Sequence, residues 1–212
     1  MSKNLFFILS LLFVMLAAPV ILQVPALQNV FAQQPKTTPT TPPLSTEQKQ
    51  QTLDTLMGEH ALVGGQMLIS RYERRADFQA SKQAVDDNTQ QLASQMESLY
   101  GVDVKNKFLT IWTNHINAFL DYADAKKLKD NARETIALQS LQKFTDDFSS
   151  LLAQGKNVDS YMNAQNYFAR HVLDEKAILD SYADKNYQKM YSSMHDAYMH
   201  ATLLSTTILT TK

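Results

Sequence analysis

Three histidines recur at nearly equal intervals along the chain, at positions His60, His115 and His171. Imidazole is the side chain that most often binds transition metals in proteins. Three imidazoles that reach one point from separate segments suit copper, zinc or iron. A transition-metal site is therefore the sharpest functional hypothesis, provided that the fold brings the three residues to one level.

The residues around the histidines predict the elements that must position them. Trp112, shortly before His115, and Tyr122, shortly after it, lie on an apolar stripe with helical spacing. Apolar residues occupy the same two offsets around His60 and His171, and apolar positions in the segments that follow repeat at the same interval. We interpret the pattern as three copies of a helical hairpin of about 56 residues, each with a histidine on its first helix.

The predicted fold is all-α, an up-and-down bundle of about six long helices over residues 45–212. Such hairpins bury their apolar faces only by packing on one another, either as a closed bundle, which we favour, or as a short stacked superhelix. In an up-and-down bundle the first helices of the three hairpins run parallel. At about 1.5 Å per residue, the three histidines are then expected within about 6 Å of a common height.

Helix boundaries are predicted from capping and turn residues. Ser45 and Gln48 form the pattern of a capping box at the start of the first helix. Asp77 and Asp103 are placed to cap the second and third helices, a turn is expected near residues 125–127, and Gly155 is placed to end the fourth.

The predicted ligand set extends beyond the three repeated histidines. His200 on the sixth helix suits the same level as the three histidines, and so does His195, but residues five apart cannot both face one point. We prefer His200, because it occupies the same place in the repeat as Asn88 and Phe144. Glu175, one helical turn after His171, and Asp196, one turn before His200, are placed to bind the ion or to orient an imidazole. Weaker candidates are Glu59, Asn88, Met194, His195 and Met199.

Three interpretations of this pattern remain open. The first is a protein that binds or carries a metal ion, with copper slightly ahead of zinc and iron, because Met194 and Met199 precede histidines and thioethers select Cu(I). The second is a non-catalytic cell-envelope interaction or structural module, with an unknown protein partner, whose histidines only pack in the core.

The third interpretation comes from a resemblance. The pair His171 and Glu175, one helical turn apart, resembles part of the site of hemerythrin, a helical bundle with a histidine-rich iron centre. The resemblance covers this pair alone, and the chain lacks that family's paired histidines one turn apart on one helix. It implies a redox or oxygen-reactive metal bundle.

Composition excludes several classes of function. The chain has no cysteine, so disulfides, thiolate metal sites and thiol nucleophiles are excluded. Its formal net charge is −1, and it has no basic stripe of the kind that nucleic-acid binders carry. Motifs of zinc proteases, serine hydrolases and nucleotide-binding enzymes are absent. The sequence therefore favours a protein that is not an enzyme.

The N-terminal segment predicts export. Lys3 precedes an apolar run over residues 5–18, and Val30-Phe31-Ala32 fits a cleavage site. We predict a signal peptide over residues 1–32 with cleavage after Ala32; an uncleaved anchor is the alternative and would be the protein's only membrane contact. Residues 33–44 are rich in proline and threonine and predict an extended tether. The helical domain is then expected outside the cytoplasm, as an extracellular, periplasmic or cell-surface protein.

Overall fold

A computed structural model of the protein describes residues 44–154 and 158–210, and these residues form six helices and no strand. The predicted signal peptide and all of the predicted tether except Leu44 lie outside the described residues. In the part of the chain that is described, no helix is long and apolar enough to cross a membrane. The helices are α1 Thr46–Glu73, α2 Phe78–Tyr100, α3 Val102–Leu128, α4 Asn131–Leu152, α5 Val158–Ala183 and α6 Tyr187–Thr210.

The six helices close into a ring. Each helix contacts the next one along the chain, and α6 contacts α1. The odd helices α1, α3 and α5 also contact one another, so they form an inner group of three. The predicted all-α bundle is thus confirmed, in its closed form rather than as a stack. The origin of the three hairpins from one repeated unit stays a prediction.

The three inner helices end in the same way. Each is followed by a basic residue with a left-handed backbone, at φ 55°, 54° and 60°. At each end, the backbone N–H groups of this residue and the next donate to carbonyl groups of the last turn, as in a Schellman cap. The capping residues are Arg74, Lys129 and Lys185. Each repeated histidine precedes its capping residue by the same number of residues, which places all three histidines at one height.

Several helix ends differ from the sequence prediction. The capping box of Ser45 and Gln48 is present. Asp77 precedes α2, but its carboxylate accepts hydrogen bonds from Ser70 and Arg75 instead of capping the helix. Asp103 lies in the first turn of α3, because the helix starts earlier than predicted, directly after Gly101. α3 continues to Leu128, past the predicted turn. The predicted stop at Gly155 lies outside the described residues.

A charged network joins two of the inner helices below the level of the histidines. Tyr122 of α3 donates a hydrogen bond of 2.6 Å to Asp180 of α5. Lys176 and Lys126 place their ammonium groups 2.5 Å and 3.2 Å from the same carboxylate. Burial alone would raise the pKa of Asp180, but the hydrogen bonds from Lys176 and Tyr122 outweigh it and hold the pKa below its ordinary value.

Replacement of Asp180 tests this network. Asp180→Ala is expected to lower the free energy of unfolding by about 1–3 kcal/mol at pH 7, because it removes charge-assisted hydrogen bonds that are partly shielded from water. Urea unfolding followed by circular dichroism measures the change. Asp147→Ala is the matched control, because the Lys143–Asp147 pair is exposed and such pairs contribute about 0–1 kcal/mol. Equal losses in the two variants would contradict the prediction.

Candidate metal centre

The structure brings the three repeated histidines together on the axis of the bundle. His60 of α1, His115 of α3 and His171 of α5 each offer a ring nitrogen within 4.8 Å of those of the other two. Their ring centroids are 5.5, 5.6 and 5.9 Å apart, so they form a nearly equilateral triangle. All three side chains are buried, at 1–3 % exposure. The expectation that these three residues share one level is thus met by the geometry.

Four of the six ring nitrogens of these histidines lack hydrogen-bond partners. Nδ1 of His60, Nδ1 of His115 and both ring nitrogens of His171 are buried and unpaired within the described residues. Buried polar atoms in folded proteins are nearly always satisfied. Each ring thus has at least one nitrogen without a partner. A cation that takes one lone pair from each ring would satisfy one nitrogen of each.

The surroundings keep the three rings neutral. Burial, together with repulsion from His171, lowers the pKa of His60 to about 3. Burial lowers the pKa of His171 to about 4. The pKa of His115 lies well below its ordinary value, through burial and then through repulsion from the other two rings. At neutral pH each ring therefore keeps a lone pair for a metal ion, because only the neutral imidazole is a ligand.

Trp112 packs against all three imidazoles. Its ring centroid lies 4.8 Å from that of His60 and 4.6 Å from that of His115. It lies 6.3 Å from His171, with the two ring planes at 7°. Phe144 stacks on the other side of His115 at 4.3 Å. Because Trp112 is one turn before His115 on a core helix, it closes the N-terminal side of the site and keeps water out. It is also the only tryptophan of the chain.

A carboxyl group lies on the opposite side. Glu175, one turn after His171, is 3 % exposed, and neither of its oxygens has a hydrogen-bond partner in the described residues. It lines a small cavity of about 10 Å³ together with His60 and His115. Burial, and then the nearby charge of Asp174, raise the pKa of Glu175 well above its ordinary value. Burial thus disfavours the charged form of this group.

His200 lies apart from the three inner histidines. Its Nδ1 donates to Asp174 over 2.7 Å, and Arg170 holds the other oxygen of that carboxylate at 2.9 Å. The imidazole is partly exposed, at 34 %. Because α6 is an outer helix, His200 faces the seam with α5 rather than the axis. The structure does not bring it to the other three.

Of the remaining candidates, Asn88 lies next to His60, and none of the others lines the cavity beside the histidines. Asn88 is buried and donates to the Leu56 carbonyl and to Glu59, whose side chain is exposed. His195 is exposed and Asp196 half-buried. Met199 is 49 % exposed and Met194 is buried, and neither lines the cavity beside the histidines.

Two features of the site were missed by the sequence prediction. The apolar stripe places Trp112 in the core, and its position one turn from His115 was a signal for contact with the imidazole. Gly64, inside α1, predicts only a close approach between helices. In the structure it faces the Glu175 carboxylate, whose oxygens lie 3.6 and 3.7 Å from the position that a Cβ would take.

Neither a protein-family model, a curated protein nor a solved structure matches this chain. The functional argument therefore depends on the geometry and chemistry of the buried histidines.

Proposed function

We propose that the protein binds a transition-metal ion between His60, His115 and His171. The observation that supports this most directly is the triangle of buried, neutral imidazoles, each of which offers a ring nitrogen within 4.8 Å of those of the other two. Two nitrogens on one tetrahedral zinc lie about 3.3 Å apart, given Zn–N distances of about 2.0–2.1 Å. The rings therefore need to close by at most about 1.5 Å, which is within the reach of side-chain rotation.

The donor set narrows the choice of ion. Imidazole suits zinc, copper and iron, and the chain has no cysteine to add a thiolate. The two methionines that favoured copper in the sequence do not line the cavity beside the histidines. Glu175 is the only carboxylate among the cavity's described lining residues, so we do not propose a carboxylate-bridged pair of iron ions. We propose metal binding or carrying, outside the cytoplasm if the predicted signal peptide is functional.

Fluorescence of Trp112 provides a direct test. The purified protein, without a histidine tag, is titrated with Cu²⁺, Zn²⁺ or Co²⁺ after removal of metal. We expect saturation at one ion per chain and strong quenching by Cu²⁺, because Trp112 contacts all three ligands. His171→Ala is expected to abolish the high-affinity step, since two imidazoles remain.

The matched control is His195→Ala, which removes an exposed histidine and is expected to leave the titration unchanged. Metal analysis of the protein from supplemented culture then identifies the ion. A protein that contains no metal, and whose Trp112 fluorescence does not change with any of the three ions, would contradict the proposal. The histidines would then be core residues of a structural or interaction module.

A further inference from the structure

We propose that Glu175 is the fourth ligand of the ion. With three histidines and Glu175 as ligands, the site is expected to prefer Zn²⁺ to Cu(I). This inference rests on the metal site proposed above. It assigns a role to a buried group that the packing of the bundle alone does not explain.

The carboxyl group of Glu175 has no partner in the described part of the protein. Both of its oxygens are buried and unpaired. The two basic residues nearest to it on α5 are engaged elsewhere, since Arg170 pairs with Asp174 and Lys176 pairs with Asp180. A buried carboxyl group without a hydrogen bond or a cation destabilises a fold. Its presence on the axis is accounted for if the functional state contains a cation there.

The carboxyl group of Glu175 lies beside the histidines, outside the set of ligand atoms within 4.8 Å of one another, so a side-chain rotation has to bring it onto the ion. It shares a cavity wall with His60 and His115. Gly64, one turn after His60, has no side chain between α1 and the carboxylate, and a Cβ at that position would already be in contact with both oxygens. A larger residue would push the group aside. Gly64 and Glu175 thus leave open the side of the triangle that Trp112 does not close.

A role in binding the ion fits the structure better than a role in orienting a histidine. An orienting carboxylate holds the second ring nitrogen of a ligand by a hydrogen bond. Glu175 is one turn after His171, the position from which it could do so. Yet both nitrogens of His171 and both oxygens of Glu175 are unpaired, so the carboxyl group does not hold that ring.

The donor set then determines the class of ion. Three imidazole nitrogens and one carboxylate oxygen form the closed, four-coordinate set that zinc prefers, with no open position for a substrate. The carboxylate also offsets part of the charge of a divalent ion within the bundle. Met67 lines the same cavity, and its thioether would favour Cu(I) instead. The two possible fourth ligands predict opposite results. Glu175→Gln weakens metal binding if Glu175 is the ligand, and Met67→Leu weakens it if Met67 is the ligand.

The test is the zinc affinity of Glu175→Gln, measured by competition with a chromophoric chelator. This substitution keeps the volume of the side chain and removes its charge. We expect the affinity to fall by more than about 100-fold, because loss of an orienting partner costs about 10–100-fold and loss of a ligand costs more. The control Asp196→Asn removes the charge of a half-buried carboxylate on α6 that does not line the cavity, and should leave zinc affinity unchanged.

Each result has a defined meaning. Wild-type protein that binds no ion refutes the metal site itself, and the role of Glu175 with it. Wild-type protein that binds zinc while Glu175→Gln loses less than about 100-fold in affinity refutes only the fourth ligand. A preference for Cu(I) over zinc that disappears in Met67→Leu and persists in Glu175→Gln also refutes it.

Two further measurements make the test independent of zinc competition. The metal-free form of Glu175→Gln is expected to melt at the same temperature as wild type or higher, because no hydrogen bond is lost. A group with a merely structural role would lower the melting temperature. In wild-type protein, zinc should change the infrared carboxyl bands of one buried side chain, and this change should be absent from Glu175→Gln. A zinc-induced difference spectrum that is the same in both proteins would overturn the assignment.

Discussion

The free energy of unfolding of the metal-free protein is expected to fall by about 5 kcal/mol between neutral pH and pH 4.5, since each pKa unit corresponds to about 1.36 kcal/mol. His60 and His171 have their pKa values lowered from 6.5 to about 3 and about 4 in the folded protein. The unfolded chain therefore binds protons at a higher pH than the folded one. The stability from the neutral rings is complete above pH 6.5 and is lost as the pH falls towards the folded values.

A loss of this size is comparable with the whole stability of an ordinary domain, about 5–15 kcal/mol. We therefore expect the metal-free bundle to unfold cooperatively in mild acid. His115, with its pKa also lowered by burial and by its two neighbours, adds to the effect. Glu175 acts in the opposite direction, because its raised pKa contributes stability at low pH that is lost as the pH rises through the folded value. The loss of about 5 kcal/mol counts His60 and His171 alone, and His115 and Glu175 change it in opposite directions.

Urea unfolding in the presence of a chelator, at pH values from 7 to 4.5, measures this dependence. The control is a variant in which His60, His115 and His171 are all replaced by leucine. Its stability should no longer fall on acidification, because Glu175 is left as a buried titratable group and acts in the opposite direction. It should exceed that of wild type at pH 5, because the substitution removes buried, unsatisfied polar atoms and keeps a similar volume. Wild-type stability that is flat between pH 6.5 and pH 4.5 would show that the rings are not buried neutral groups.

The sequence was sufficient for the level of the three histidines because that level depends on quantities that vary little. Apolar stripes defined the helices, and a helix rises by about 1.5 Å per residue whatever its sequence. The nearly equal spacing then placed His60, His115 and His171 at one height once the inner helices ran parallel. The common caps at Arg74 and Lys129, with their left-handed backbone, could not be predicted, since glycine is the usual residue at that position.

The sequence was not sufficient to separate inner helices from outer ones. All six helices carry an apolar stripe, so nothing in their periodicity shows that α1, α3 and α5 contact one another across the axis while α6 lies outside. A histidine at the right height on an outer helix faces a seam between two neighbours. His200 accordingly meets Asp174, a residue that had no place in the predicted site.

The sequence also could not show which hydrogen bonds individual side-chain atoms make. Glu175 was chosen for its spacing from His171, but the spacing of two residues on one helix does not show which hydrogen bonds a side chain makes. The structure shows that both of its oxygens, and at least one ring nitrogen of each of the three histidines, are unpaired among the described residues. An absence of partners depends on every residue packed around the site, including Gly64, and it becomes visible only when the helices are assembled.

Zinc or copper at about 1,000 times its dissociation constant is expected to raise the free energy of unfolding by about 4 kcal/mol, because an ion that binds only the folded state stabilises it by mass action. The same gain is expected in mild acid, where the metal-free protein is weakest, because the folded His60 and His171 rings are still neutral there and can bind the ion. Metal-free and metal-loaded protein should therefore show well-separated melting temperatures at pH 5.5. Differential scanning calorimetry measures both forms in the same buffer.

The triple leucine variant separates this linkage from non-specific effects of metal. It is expected to be more stable than wild type without metal and to gain nothing from metal. Buried, unpaired histidines and Glu175 lower the free energy of unfolding of the metal-free wild type. Metal binding should restore part of this free energy. His195→Ala, which removes an exposed imidazole, should retain the full shift. If wild type and the triple variant respond equally to the ion, the stabilisation comes from the surface, and the buried histidines do not bind it.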